Sequence, residues 1–131
     1  MRRYLIASHG KMASGMLSTV KLLAGEREDI DYLDAYIESD SISNQIKRYF
    51  DQYKEYEILV FTDLLAGSVN REIMRYLNEN THIISGFNLP LLLELLLSDE
   101  TITPEVIEEK LSMARGQMVY VNKLVKGDDA L

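Results

Sequence analysis

His9, Asp63 and Ser68 are the side chains whose types and places suit chemistry. His9 closes the run Tyr4-Leu5-Ile6-Ala7-Ser8-His9-Gly10. Asp63 follows the apolar run Ile58-Leu59-Val60-Phe61-Thr62, and Ser68 ends the turn Asp63-Leu64-Leu65-Ala66-Gly67-Ser68. A neutral imidazole carries a proton on one nitrogen and a lone pair on the other. A carboxylate that accepts the Nδ1 proton fixes the tautomer and leaves Nε2 as a nucleophile. The logic is that of an oriented catalytic histidine. Nothing places a serine nucleophile beside this imidazole, and the chain has no cysteine. The histidine itself is then the natural acceptor of an electrophile.

The surroundings suggest which electrophile. Gly10-Lys11-Met12 opens one helical pattern and Gly67-Ser68 opens another. Helix N-termini offer backbone N–H groups and a positive dipole end, which suit a phosphoryl group. The small residues Ala66 and Gly67 let backbone approach closely, and the Ser68 hydroxyl adds a hydrogen bond. Phosphoryl transfer asks mainly for positioning and charge stabilisation. Plainer roles stand beside these: a turn residue for Asp63, an N-cap for Ser68. The second histidine, His82, lies within a strand pattern and reads as structural. Lys11, Arg71 and Arg75 read as solvated surface, and Leu89 to Leu97 as core or subunit interface.

These residues need a scaffold that brings two strand ends together. Tyr4 to Ala7 reads as a buried strand. Met12, Met16, Leu17, Val20, Leu23 and Ala24 then recur at helical spacing, with Gly25 as the stop. Ile30 to Tyr36 alternates partially and reads as an edge strand. Asp40 or Ser41 caps a helix whose stripe is Ile42, Ile46, Tyr49, Phe50 and Tyr53. Tyr56 to Thr62 reads as a strand buried on both faces. Ser68 precedes a helix carrying Val69, Ile73, Met74 and Leu77, and Thr81 to Ser85 is a fourth strand. Thr103-Pro104-Glu105 starts a helix over Ile107, Leu111 and Ala114 that stops at Gly116. Met118 to Val125 reads as a last strand, and 126–131 as a frayed tail.

Strands alternating with helices predict an α/β fold: one doubly wound, mostly parallel sheet with helices on both faces. Strands one, three and four read as central and strand two as an edge, which the order 2-1-3-4 satisfies, the flavodoxin-like winding. Its switch point falls between strands one and three. Adjacent strands lie about 4.8 Å apart, so His9 and Asp63 stand at neighbouring tips, within reach of each other.

At 131 residues the chain reads as one domain, 1–131. A net charge of −7 without a basic block argues against nucleic acid. The absence of cysteine removes disulfides, thiolate metal sites and thiol nucleophiles. The apolar run after Met1-Arg2-Arg3 is shorter than a signal-peptide core. Leu89 to Leu97 contains Pro90 and Glu94 and is about half of what a bilayer span requires. The reading is a soluble, cytoplasmic chain with no direct membrane insertion.

Three motifs, Leu5-Ile6-Ala7-Ser8-His9-Gly10, Thr62-Asp63-Leu64-Leu65-Ala66-Gly67-Ser68 and Ser85-Gly86-Phe87-Asn88-Leu89-Pro90-Leu91-Leu92, occur in order along nearly the whole chain. Together they resemble the IIA component of the mannose-family sugar phosphotransferase systems. The glycine-x-asparagine-x-proline element, followed by leucines, is the most specific of the three. The resemblance implies a parallel sheet with one antiparallel edge strand near the C-terminus, matched by Met118 to Val125. It implies that this strand helps form a homodimer, often by exchange between subunits. It also implies a cytoplasmic phosphoryl carrier: His9 takes phosphate on Nε2 from the phosphocarrier HPr and passes it to a IIB component. The sugar is phosphorylated downstream, during uptake through the membrane IIC and IID subunits. Asp63 matches the orienting aspartate and Ser68 the serine near the phosphate, with Gly10 and Gly67 on the phosphate-binding side. No metal or organic cofactor is implied. The family loop reads aspartate-x-x-glycine-glycine-serine-proline, where this chain has Ala66 and Val69 in place of the first glycine and the proline.

Other readings remain in view. The phosphocarrier subunit of a dihydroxyacetone kinase has a similar domain and histidine; Gly86 to Leu91 favours the sugar-transport type. A response-regulator receiver shares the winding and would use Asp63 as acceptor, but requires an acidic pair where this chain has Ser8-His9. A regulatory binding module of the same fold would use His9 for contact alone.

Overall fold

The computed structural model describes residues 1–126. Four strands and six helices follow in the order β1 (Arg2–His9), α1 (Met12–Ala24), β2 (Ile30–Ala35), α2 (Ile42–Gln52), β3 (Glu57–Thr62), α3 (Ser68–Met74), β4 (Thr81–Ser85), α4 (Leu89–Leu96), α5 (Pro104–Arg115) and α6 (Val121–Lys126). They group into two compact units, Met1–Phe87 and a second from Asn88 onward.

The first unit holds the whole sheet. Its order is β2-β1-β3-β4 with every pair parallel, the winding expected from the sequence. The apolar runs of β1 and β3 occupy the two central positions, where both faces are covered. From Ile58 to Thr62 every residue of β3 is buried. Side chains alternate between faces along a strand. Leu5, Ala7, Leu33, Ala35, Ile58 and Val60 therefore share one face, which packs on Ile46 and Phe50 of α2 and on Val69 and Ile73 of α3. Ser8 and Asp34 lie on the other face and bond the first turn of α1, whose Ala13, Leu17 and Val20 are buried. The amino-terminal rim of the sheet is closed by aromatic packing: Phe50 stacks on Tyr76 at 4.8 Å, and the Arg3 guanidinium lies 4.3 Å from the Tyr53 ring centre.

Local signals account for most boundaries. Ser41 caps α2 by accepting the Asn44 N–H, and Gly25 ends α1 at φ +85°. In three places the helices differ from the sequence reading. Met12 and Leu23 are exposed, because the buried stripe of α1 runs through Ala13 instead. Met74 and Leu77 are exposed as well, because α3 closes at Met74 before completing another buried turn. Helix α3 is capped by the backbone of Gly67 with no side-chain cap; Ser68 is its first residue, not its cap.

In the second unit, Asn88 caps α4 by accepting the Leu91 N–H and donates to the Ala114 carbonyl of α5 at 2.8 Å. Leu91, Leu92, Leu95 and Leu96 are buried. Thr103 caps α5, with Pro104 in its first turn, as the sequence predicts. The antiparallel strand expected over Met118 to Val125 is not found: among the described residues the sheet has four strands, and Val121–Lys126 is helix α6. A strand must pair with a neighbour's edge. Here the segment instead satisfies its N–H groups locally, Lys123 and Leu124 both donating to the Tyr120 carbonyl. Of the tail expected at 126–131, Lys126 closes α6 and residues 127–131 lie outside the described residues.

Candidate functional site

The parallel register sets the site. His9 stands opposite Ala35 of β2, and Ala7 opposite Thr62 of β3, so His9 and Asp63 emerge from adjacent strand tips. Chain reversal at β1 passes through Gly10 at φ +61°, a left-handed conformation open to glycine at little steric cost. The Gly10 N–H donates to the Ala35 carbonyl at 3.0 Å and ties the turn to β2. Ser8, fully buried, accepts the Ala13 N–H at 2.7 Å. Asp34 accepts both the N–H and the hydroxyl of Ser14. Two N–H groups in the first turn of α1 are thus already bonded within the fold.

Asp63 is a hub. One carboxylate oxygen accepts both the His9 backbone N–H and His9 Nδ1, each at 2.9 Å, and the other accepts the Leu64 N–H at 3.0 Å. The double bond to one residue fixes both the position and the ring direction of His9. With Nδ1 donating to a carboxylate, Nε2 carries the lone pair. Burial alone would raise the Asp63 carboxyl; the N–H and ring bonds from His9 outweigh it and hold it below the usual carboxylate range. Asp63 is therefore a standing anion behind the imidazole. The His9 side chain is 36% exposed and that of Asp63 11%, so the buried nitrogen is braced and the ring stays reachable.

Gly67 makes room for this ring. A Cβ on Gly67 would lie 2.9 Å from His9 Cε1, closer than atoms tolerate. The Gly67 N–H donates to the Leu64 carbonyl, so this glycine serves the site by the space it leaves open. The Ser68 hydroxyl lies 3.4 Å from His9 Nε2. The structure thus brings His9, Asp63, Ser68, Gly10 and Gly67 together. His82 is elsewhere, opposite Leu59 within the sheet.

Two residues of this neighbourhood escaped the sequence reading. Asn70, only 2% exposed, accepts from the Thr62 hydroxyl and donates to the Leu65 carbonyl, pinning the loop between β3 and α3. In the sequence it is one polar residue on a helix, and nothing separates it from a solvated position. Tyr36 follows β2 at φ +67°, the one non-glycine with positive φ among the described residues. Its hydroxyl bonds Ser68 Oγ at 2.5 Å, and its ring centre is 5.7 Å from that of His9. An aromatic residue at the end of the strand next to β1 was the available signal. The left-handed conformation costs an ordinary residue roughly 1–2 kcal/mol.

Such an arrangement can hold an imidazole in one tautomer, present Nε2 to a group arriving from solvent, and stabilise the positive ring that results. Among the described residues no three His, Cys, Asp or Glu side chains gather as a metal site would require.

Comparison with known proteins adds the family. Residues 3–111 match the family model described as the PTS system fructose IIA component. The mannose-specific EIIAB component of Escherichia coli K12 is 27% identical over 100 residues, covering 72% of this chain; the match spans 31% of that protein's length. Among solved structures, a Klebsiella pneumoniae chain assigned to a phosphoenolpyruvate-dependent sugar phosphotransferase system is 38% identical with a TM-score of 0.89, covering 95% of this chain and 93% of that one. The PTS IIA protein associated with the fucose utilization operon of Streptococcus pneumoniae is 33% identical with a TM-score of 0.81, at 93% and 94% coverage.

Proposed function

Because the chain belongs to the mannose-type family of phosphotransferase-system IIA components, we propose that it is a phosphoryl carrier that loads Nε2 of His9. The donor is phospho-HPr and the acceptor a IIB component. Sugar uptake follows through membrane IIC and IID subunits, and this chain works in the cytoplasm. Among the described residues no helix is long and apolar enough to cross a membrane. Residues 1–131 act as one domain of this type, a reading supported by a family match that runs through both compact units.

One observation carries the proposal: Asp63 grips Nδ1 at 2.9 Å on a ring that is one-third exposed. The Nε2 lone pair attacks phosphorus while the donor imidazole departs. The Nδ1 proton stays between His9 and Asp63, and the lowered carboxyl faces the new positive charge. Ser68 donates to a phosphoryl oxygen. Gly10 and Gly67 line the phosphate side and keep β-carbons away from it. The exposed Met118, Val119, Tyr120, Val121, Leu124 and Val125 support a homodimer formed through the C-terminal segment.

The test is incubation with enzyme I, HPr and phosphoenolpyruvate, followed by assay for an acid-labile, alkali-stable adduct. The unaltered chain becomes labelled and His9→Ala does not. Labelling that survives His9→Ala, is released by alkali and disappears in Asp63→Ala would instead identify a receiver-type aspartyl acceptor.

A further inference from the structure

Tyr36 occupies the side of His9 that Asp63 leaves free. Its phenol bonds Ser68 Oγ at 2.5 Å, and Ser68 Oγ in turn lies 3.4 Å from Nε2. The two rings are tilted by 36° with centres 5.7 Å apart. With Nε2 an acceptor, one consistent set of protons runs from the Tyr36 O–H to Ser68 Oγ, and from the Ser68 O–H to Nε2. Tyr36 reaches this place from a left-handed backbone, which a bulky residue rarely adopts. The strain persists in a residue that is 57% exposed, so burial of its ring does not explain it. Strained backbone at a site is a reason to look for a role.

We propose that Tyr36 is a positioning residue for phosphoryl transfer: its phenol fixes the Ser68 hydroxyl beside Nε2. This rests on the phosphocarrier reading of His9. In the transfer, the Nε2–phosphorus bond forms as the donor phosphohistidine's nitrogen–phosphorus bond breaks. The electron pair of that bond leaves with the donor imidazole, and no proton leaves His9. The Ser68 hydroxyl then turns from Nε2 to a phosphoryl oxygen, still held by Tyr36. Ser68 is the first residue of α3, and its hydroxyl lies 2.5 Å from the Tyr36 phenol and 3.4 Å from Nε2, so the phenol is its closer partner. Without the phenol that hydroxyl keeps only its long contact to the ring, and its contribution to the transition state falls.

The experiment uses Tyr36→Phe, which keeps the ring and removes the hydroxyl, beside Ser68→Ala and the double variant. Labelling from phospho-HPr is followed by rapid quench. Tyr36→Phe labels to the same end point but about three- to tenfold more slowly, the range that one hydrogen bond's net contribution supplies. The double variant is no slower than Ser68→Ala, because Tyr36 acts through that hydroxyl. In the unphosphorylated chain, nitrogen NMR shows a shifted His9 Nε2 resonance in Tyr36→Phe and an unchanged Nδ1. Equal rates for Tyr36→Phe and the unaltered chain, or rate losses that multiply in the double variant, overturn the positioning role while leaving the phosphocarrier reading intact. Failure of the unaltered chain to label overturns both.

Discussion

The first unit holds two histidines, each with a carboxylate near its ring, and they sit in opposite circumstances. His9 ends β1 at the carboxyl rim of the sheet. Its Nδ1 is 2.9 Å from Asp63, and that carboxylate also holds the His9 main chain. His82 lies inside β4, and its outer nitrogen Nε2 is 3.7 Å from Glu57. Glu57 already receives Arg2 at 2.6 Å. A carboxylate beside a histidine is therefore not what makes a site. At His9 the nitrogen nearer the backbone is the one gripped, so the outer nitrogen is left to react. At His82 the outer nitrogen faces a carboxylate already engaged by a guanidinium. Position in the fold produces the difference, since a strand tip exposes a ring edge and a strand interior covers it.

Replacing the two rings breaks the comparison most severely. His9→Ala should abolish phosphoryl labelling, and His82→Ala should leave it within about twofold, measured as acid-labile adduct under identical conditions. Labelling lost in His82→Ala with circular dichroism unchanged would place His82 in the transfer route. Next comes Gly67→Ala. Its Cβ would stand 2.9 Å from His9 Cε1 and 3.2 Å from the Leu64 carbonyl. The flanking backbone is held by Asn70, so the ring must give way. Displacement of a reacting group by about 1 Å can cost on the order of a hundredfold, and the labelling rate should fall by about that factor. No comparable crowding constrains His82, so the adjustment is specific to one ring.

Asp63→Asn removes the charge and leaves the shape. The expected loss of transfer rate is at least about 10- to 100-fold, the range seen when the partner that orients a ligating imidazole is altered. A second readout follows from the lowered Asp63 carboxyl. A depressed carboxyl stabilises the folded state fully above its unfolded value near 3.8 and loses that contribution as pH falls through the lowered folded value. The stability gap between the unaltered chain and Asp63→Asn, measured by urea unfolding, should thus be constant near neutrality and close below about pH 4. A gap that widens in acid would show that the carboxylate is not held by its hydrogen bonds.

The contrast between the two histidines was legible in the sequence because it depends on where strands stop. The run Tyr4 to Ala7 followed by Ser8-His9-Gly10 placed one ring at a rim, and His82 fell inside a pattern of its own. Alternating strands and helices were enough for the parallel order β2-β1-β3-β4 and hence for the meeting of His9 and Asp63. What escaped were contacts made across the chain. The bond of Tyr36 to Ser68 spans residues 32 apart and depends on one left-handed φ. Asn70 pairs with Thr62 only once β3 and α3 are folded against each other. The C-terminal strand failed for a different reason. Its β-branched and aromatic residues Val119, Tyr120 and Val121 suit a strand, but a strand requires an edge to pair with, and helix needs only its own backbone.

The smallest effect tests the structural side of the comparison. His82 and Glu57 are 3.7 Å apart, and Arg2 competes for the same carboxylate, so their attraction is partial. A long, shared pair at a partly covered position contributes little, about 0–1 kcal/mol. His82→Gln keeps a polar, hydrogen-bonding side chain of similar reach at the same place in β4. Its unfolding free energy should stay within about 0.5 kcal/mol of the unaltered chain, with no change in labelling rate. Arg2→Ala should cost more than His82→Gln, because it takes from Glu57 its 2.6 Å partner. If the order were reversed, with His82→Gln the more costly, the imidazole and not the guanidinium would be the main partner of Glu57. Both rings would then be held by a carboxylate, His82 at Nε2 and His9 at Nδ1, and the choice of nitrogen together with exposure would be what sets His9 apart.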